Sequence, residues 1–214
     1  MNDIGSLLVR NAEIADLAAL MDLHRTLKLG IIAKLAAPLI TLYFRNIIQR
    51  RLFLFRVATD DKGVAGYAVV NTDLRVPRSA PFRATSVRTL GLLTRHPRSA
   101  WIIARYLLSR WRQSETCTHA RNRFQWELYY IGVRPGSQRR GIGTMLLGDI
   151  GAQMRATGAS HLGLEVFVEE TNAVSFYRRL NSEPLGDVRT GDLVSHIMRI
   201  DEKDLPRQPV GVSH

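Results

Sequence analysis

The stretch Tyr129-Tyr-Ile-Gly-Val-Arg-Pro-Gly-Ser-Gln-Arg-Arg-Gly-Ile-Gly-Thr-Met-Leu-Leu147 reads as a strand, a tight basic turn and a helix. Residues 124–133 are dense in aromatic and β-branched side chains, which predicts a strand. Pro135 and Gly136 stop it. A helix follows from about residue 141 to 157: Ile142, Met145, Leu146, Ile150 and Met154 recur at the spacing of one helical face, and Gly158 is a fitting stop. Between them lies Gln138-Arg-Arg-Gly-Ile-Gly143. A glycine-containing turn that opens a helix leaves several backbone N–H groups pointing one way, and the positive end of the helix dipole and two arginines strengthen the pull on an anion. This is the chemistry of a pyrophosphate cradle.

Two common phosphate loops do not fit. The P-loop needs G-x-x-x-x-G-K-[ST], and no lysine follows Gly141 or Gly143. The dinucleotide fingerprint needs G-x-G-x-x-G, and position 146 is leucine. What remains, Gln138-x-x-Gly141-x-Gly143 after a strand ending Gly132-Val133-x-Pro135, resembles the central motif of the GNAT superfamily of N-acetyltransferases. The resemblance implies that coenzyme A lies along Ile131, Gly132 and Val133. Its pyrophosphate would rest on Gln138, Arg139, Arg140, Gly141, Ile142, Gly143 and Thr144.

The chain has 214 residues, 45% hydrophobic and 23% charged, which suits one globular domain rather than a disordered chain. The single Cys117 excludes an intramolecular disulfide and offers no metal cluster. It also has no His–Asp partner in view for a covalent acyl-cysteine route. Asp3 lies near the start and no uninterrupted apolar run follows, so no signal peptide is read; a cytoplasmic protein is expected. The most apolar run, 29–44, contains Lys34 and Pro38 and is too short to span a bilayer. The net charge of +11 suits an anionic ligand or surface.

Upstream, residues 6–10 predict a strand, and Ile14, Leu17, Leu20, Met21, His24 and Leu27 mark a helical face with Asp16 in its first turn. Arg10, Ala12 and Asp16 are spaced as in the opening of GNAT chains. His24 reads as a packed residue rather than a base. A second helix is expected over 31–49, bent or begun near Pro38. The strands 52–59 and 64–71 are joined by the hairpin turn Asp60-Asp-Lys-Gly63.

Residues 74–114 hold nine arginines with no lysine and no acidic residue, so +9 of the +11 sits there. Helices are expected at about 85–95 and 98–112. In the second, Arg98, Arg105 and Arg112 form a stripe, with Trp101, Ile103, Leu107, Leu108 and Trp111 on the opposite face. The segment exceeds what a GNAT core needs between its third and fourth strands and reads as an insertion. It is a structural flap with a solvated arginine face, or a surface for an anionic acceptor or anionic membrane through Arg98, Arg105 and Arg112. Nucleic acid is disfavoured because the tryptophans read as facing inward.

On the fourth strand, alternation puts Glu127, Tyr129 and Ile131 on one face. A carboxylate among Trp126, Leu128 and Tyr130 is costly to bury without a partner, and such burial suits a general base. The resemblance places a glutamate base at this point of the strand; a salt-bridge glutamate is the alternative. Residues 161–168 predict the next strand, and 171–180 a helix capped by Thr171 or Asn172. There, Ala173-Val-Ser-Phe-Tyr177 resembles the second GNAT motif, which implies that Tyr177 protonates the departing thiolate. A core tyrosine is the alternative. Two departures stand out: Glu170 occupies the place of the family's usual asparagine, leaving Asn172 as the candidate pantetheine contact, and Leu180-Asn-Ser182 replaces Leu-Gly-Phe. Strands are expected at 184–188 and 194–200, then a polar tail over 201–214.

The expected architecture is thus α/β (α+β), a mixed sheet splayed between its fourth and fifth strands and flanked by helices. It forms one domain over 1–200 with a helical insertion at about 74–120. The expected function is transfer of acetyl from acetyl-CoA, without a metal, to a primary amine of a small-molecule or peptide acceptor. The reaction would be direct attack, with Glu127 as base, the Val133 N–H on the thioester carbonyl and Tyr177 as acid. A non-catalytic GNAT-like module that holds acyl-CoA or an anionic partner is the alternative.

Overall fold

The computed structural model describes residues 7–111, 123–190 and 193–207. β1 (Leu8–Asn11), β2 (Leu54–Asp60), β3 (Gly63–Asn71) and β4 (Trp126–Val133) pair antiparallel in sequence order. β5 (His161–Phe167), β6 (Glu183–Thr190) and β7 (Leu193–Asp201) complete a seven-stranded sheet ordered β1-β2-β3-β4-β5-β7-β6. β4 and β5 run parallel and pair only from Trp126↔Leu162 to Leu128↔Leu164. Beyond that point β4 stays with β3 as far as Val133, and β5 stays with β7 as far as Phe167. The sheet therefore splits, and the facing edges of the two strands have no strand partner across the gap.

Both faces are covered. On one, α1 (Leu17–Leu27) and α2 (Ala37–Arg50) pack Leu20, Leu39, Tyr43, Phe44 and Ile47 against Phe55, Val57, Tyr67 and Val69. On the other, α6 (Ile142–Thr157) and α7 (Thr171–Arg178) pack Leu146, Ile150, Met154 and Val174 against Ala58, Ala68, Leu128 and Leu164. α6 is further fixed by an ion pair that the sequence reading does not anticipate. Asp149, buried in the helix's apolar stripe, meets Arg56 of β2 at 2.6 Å (Nε–Oδ2) and 2.7 Å (Nη2–Oδ1), and Arg56 Nη1 donates to Asn11 Oδ1 at 2.7 Å. At the start of the chain, Arg10 and Asp16 form a two-bond pair at 2.7 and 2.8 Å.

The region 31–49 takes the second of its two expected forms, a helix begun near Pro38 rather than a bent one. A 3-10 turn at Ile32–Lys34 ends in extended Leu35 and Ala36, and α2 then begins with Pro38 in its first turn, where a missing N–H costs nothing. Other expectations are corrected: among the described residues the arginine-rich segment holds three helices where two are expected, α3 (Ala80–Arg83), α4 (Ser86–Arg95) and α5 (Pro97–Trp111). On α5, Ile102 and Ile103 pack toward the core, while Trp101 and Leu108 are exposed beside Arg98 and Arg105. Trp101 is three residues after Arg98 and four before Arg105, which helix geometry puts in the same strip rather than opposite it. The side chains of Leu107 and Trp111, and residues Arg112 and Cys117, lie outside the described residues. The chain also stays packed beyond residue 200: Leu205 is buried against Gly151 of α6.

Candidate active site

The strand–turn–helix motif forms the end of β4, the turn and the start of α6. Its turn is anchored by Arg134. The Arg134 backbone N–H donates to the Ala65 carbonyl at 2.8 Å, and its guanidinium reaches Asp60 Oδ2 at 2.6 Å and Ser137 Oγ at 3.2 Å. Burial works against the Asp60 carboxylate. The hydrogen bonds from Arg134 and the Lys62 N–H, with the charges of Arg134 and Arg140, nevertheless hold its pKa below the usual range. The Gln138 side-chain amide donates to the Val133 carbonyl at 3.3 Å, folding the turn back on the strand.

Arg139 and Gly141 both adopt left-handed φ, +61° and +81°, which curls the backbone before α6 and turns its amides to one side. The first N–H groups of α6 have no partner within the helix. A Cβ added at Gly141 would meet nothing of the protein within 4 Å, and one at Gly143 only the Phe176 Cζ at 3.6 Å. Space stands open directly beside the amides, as a pyrophosphate would need. Gln138, Arg139, Arg140, Gly141 and Thr144 are exposed around that space, while Ile142 is buried and seats the helix. The residues present therefore fit the diphosphate of a coenzyme A.

β4 carries the residues beside the split, and its alternation is broken. Val69 pairs with Tyr130 and Val70 with Leu128, so Tyr129 is an extra residue in a β-bulge. Tyr129 and Tyr130 consequently both join the α1–α2 face, and Ile131 packs on the α6 face, not on the face of Glu127 and Tyr129. Gly132 lies against Leu27, Leu29 and Tyr67, and Val133 returns to the α6 side.

Glu127 is buried beside the last paired residues of β4 and β5. The sequence reading allows a salt bridge here without naming the partner; the arginine-rich segment supplies it. Arg78 Nη2 lies 3.3 Å from Glu127 Oε1, and the guanidinium sits 4.2 Å over the Tyr129 ring. Burial opposes the charge on Arg78, yet Glu127, the Tyr106 phenol, Glu165 and the Tyr130 phenol hold its pKa well above the usual value. Arg78 is thus a partly buried cation beside the point where β4 and β5 part.

Tyr177 is buried on the opposite face, in the cluster with Leu128, Leu164 and Val166. Burial, with the nearby charge of Glu170, raises its phenol pKa well above the ordinary value, so it stays protonated at neutral pH. Glu170, not Thr171 or Asn172, is the cap residue of α7; it is exposed, and desolvation by its surroundings shifts its carboxyl pKa up. Asn172 is exposed in the first turn of α7. His24 is fully buried on the α1–α2 face of the sheet. Its Nδ1 lies 2.5 Å from the Tyr67 hydroxyl, the rings of Phe44 and Tyr130 meet its edge, and burial lowers its pKa to about 4.

A mixed sheet that parts after three parallel pairs, with an anion cradle at the end of the parting strand, defines an acyl-coenzyme-A-binding transferase fold. The profile of the acetyltransferase (GNAT) family matches residues 17–181, and the chain belongs to that family. No curated protein sequence matches it. Among solved structures it resembles the ribosomal-protein-S18-alanine N-acetyltransferase from Escherichia coli (TM-score 0.56, 16% identity, 98% of this chain and 100% of that one). It also resembles Arabidopsis thaliana NAA60 in complex with acetyl-CoA (TM-score 0.60, 12% identity, 92% and 98%). A third similar structure is yncA from Salmonella typhimurium with its cofactor acetyl-CoA (TM-score 0.56, 13% identity, 98% and 99%). At these identities the likeness speaks for the fold.

Proposed function

We propose that the chain is an N-acetyltransferase that passes the acetyl group of acetyl-CoA to a primary amine of an anionic acceptor by direct attack in a ternary complex. The observation that carries this reading is the arrangement around the split: Glu127 stands on one face, Tyr177 on the other, and the cradle lies at the end of β4. Bound acetyl-CoA supplies the activated thioester. Gln138 to Thr144 hold its diphosphate, and Asn172 is the contact for its pantetheine arm. Glu127, directly or through a water, takes the proton from the attacking amine. The Val133 N–H, on the strand edge that β5 leaves, stabilises charge on the carbonyl oxygen as the N–C bond forms. Tyr177 gives its proton to the sulfur as the C–S bond breaks. The products are an acetamide and free coenzyme A.

The anionic class of the acceptor is supported by Arg78, a partly exposed guanidinium beside the base. A carboxylate or phosphate close to the acceptor's amine meets that cation while the amine faces Glu127. The test is incubation with labelled acetyl-CoA and matched amines that carry or lack such a group, followed by mass spectrometry of products, first with the panel and then with a cell extract. Acetylation confined to anionic amines supports the full reading. Acetylation of cationic polyamines as readily removes the acceptor class and keeps the reaction.

A second reading is favoured by the same ion pair. With Glu127 already met by Arg78, the fold could serve as a module that binds acyl-CoA or an anionic partner without transfer. Tight binding of acetyl-CoA with no turnover of any panel member or extract component would favour it.

A further inference from the structure

The most exposed large apolar side chains among the described residues are Val87 at 86%, Leu90 at 65%, Trp101 at 60% and Leu108 at 50%, and all four lie on α4 and α5. A helical flap that only capped the core would turn these residues inward. On α5, Arg98, Trp101, Arg105 and Leu108 follow one another at three- and four-residue steps and form a single outward strip, while Ile102 and Ile103 face the core and Ser99 accepts the Ala36 N–H at 3.0 Å. Arg105 lies over the Trp101 ring at 5.4 Å. α4 repeats the mixture, with Val87 and Leu90 exposed and Arg88 and Arg95 exposed on an adjoining side.

The charge is one-sided. Arg75, Arg83, Arg88, Arg95, Arg98 and Arg105 are exposed, and among the described residues none has an acidic partner. Between α2 and α4 a cleft of ≈ 510 Å³ is lined by Pro38, Leu42 and Leu92 with Arg45, Arg88 and Arg95, three cations and no carboxylate. No described helix is long and apolar enough to cross a membrane.

We propose that the outward sides of α4 and α5 dock this protein on an anionic bilayer surface. Val87, Leu90, Trp101 and Leu108 enter the boundary between headgroups and acyl chains. Arg98 and Arg105 meet lipid phosphates beside them, and the cleft of Arg45, Arg88 and Arg95 receives a headgroup phosphate. Arginine next to tryptophan and aliphatic side chains is the composition that binds such an interface, where the apolar groups leave water and the cations meet phosphate. Nucleic acid fits less well: Arg105 already covers Trp101, and exposed Val87 and Leu90 have nothing to gain from a sugar–phosphate backbone. The docking does not depend on acetyl transfer.

The test is co-sedimentation of the full chain with vesicles of equimolar phosphatidylcholine and phosphatidylglycerol, against vesicles of phosphatidylcholine alone. Binding is expected to the first and not the second, and to fall as salt rises. Trp101→Ala combined with Leu108→Ala should lower partition by at least about tenfold. Arg98→Gln with Arg105→Gln should lower it about fivefold per arginine. Both pairs are exposed, so the urea midpoint and acetyl-CoA affinity should hold at wild-type values, which separates lost docking from lost folding. Partition that is absent, equal for neutral vesicles, or unchanged in both double variants overturns the proposal. So does binding to a single-stranded RNA or an acidic protein without binding to vesicles.

Discussion

Arg78 reaches from the arginine-rich insertion to within 3.3 Å of Glu127 at the point where β4 and β5 part. The arginine-rich segment is thereby wired to the candidate base. If Glu127 takes the proton, Glu127→Gln should lower turnover by about 10²-fold or more and flatten the acidic limb of the pH–rate profile, with acetyl-CoA affinity kept. Arg78→Gln should do something different. An anionic group on the acceptor then has no cation to meet beside Glu127, so the KM for an anionic acceptor should rise while that for an uncharged amine holds. Wild-type kinetics for both variants would leave the pair as a structural tie.

Tyr177 should act late in the reaction. Its phenol is kept protonated by burial and by Glu170, so it is a donor at neutral pH. Tyr177→Phe should slow turnover by about 10²-fold while acetyl-CoA binding stays intact. The slowing should be smaller with an acyl donor whose thiol leaves more easily. An equal slowing with both donors would mean that the hydroxyl does not serve the leaving group.

The cradle is best probed at Gly143 rather than Gly141. Gly141 has φ +81°, so any side chain there strains the turn whether or not a ligand binds. At Gly143 a methyl group would meet only Phe176 at 3.6 Å, an ordinary contact. Gly143→Ala should therefore leave the urea midpoint unchanged and weaken acetyl-CoA binding by about tenfold, or 1.4 kcal/mol. Calorimetry giving wild-type affinity would remove the diphosphate from this turn.

The strand, turn and helix over 129–147 could be read from the chain because their signals are local: Pro135 and Gly136 break the strand, and Ile142, Leu146, Ile150 and Met154 mark one helical face. The split of the sheet is implied by the resemblance of that motif and by no pattern in β5. What escaped reading is what depends on distant residues. Arg78 and Glu127 are 49 residues apart, and Arg56 and Asp149 are 93 apart. The bulge at Tyr129 is invisible to a rule of strict alternation, and it moves Ile131 to the other face. Trp101 points outward because its spacing from Arg98 and Arg105 puts it in their strip, which its hydrophobicity alone does not tell.

The Arg56–Asp149 pair should matter for stability because it is buried on both sides. Asp149→Ala leaves the Arg56 cation without its counter-charge in the core and should cost about 3–5 kcal/mol in urea denaturation. Replacing both partners by apolar residues, Arg56→Met with Asp149→Leu, should recover most of that loss, since neither charge then remains to be desolvated. A double variant as unstable as the single one would show that the pair positions α6 in a way packing cannot replace.

His24 should make the fold sensitive to acid. Burial lowers its pKa to about 4, against an unfolded value of 6.5. Above the unfolded value both states hold a neutral ring and the site contributes no pH dependence. Between 6.5 and 4 the unfolded chain binds the proton and the native one does not, so stability falls as pH falls through this window. The expected loss from this one group between pH 7 and pH 5 is roughly 2 kcal/mol. Asp16 and Asp60, both with lowered pKa, act in the same direction but below the range where His24 does most of its work. Urea denaturation at the two pH values should therefore show the loss in the wild type. His24→Gln, which keeps a polar group near the Tyr67 hydroxyl and cannot titrate, should be less stable at neutral pH but lose about 2 kcal/mol less on acidification. An equal slope in the variant would assign the acid sensitivity to other groups.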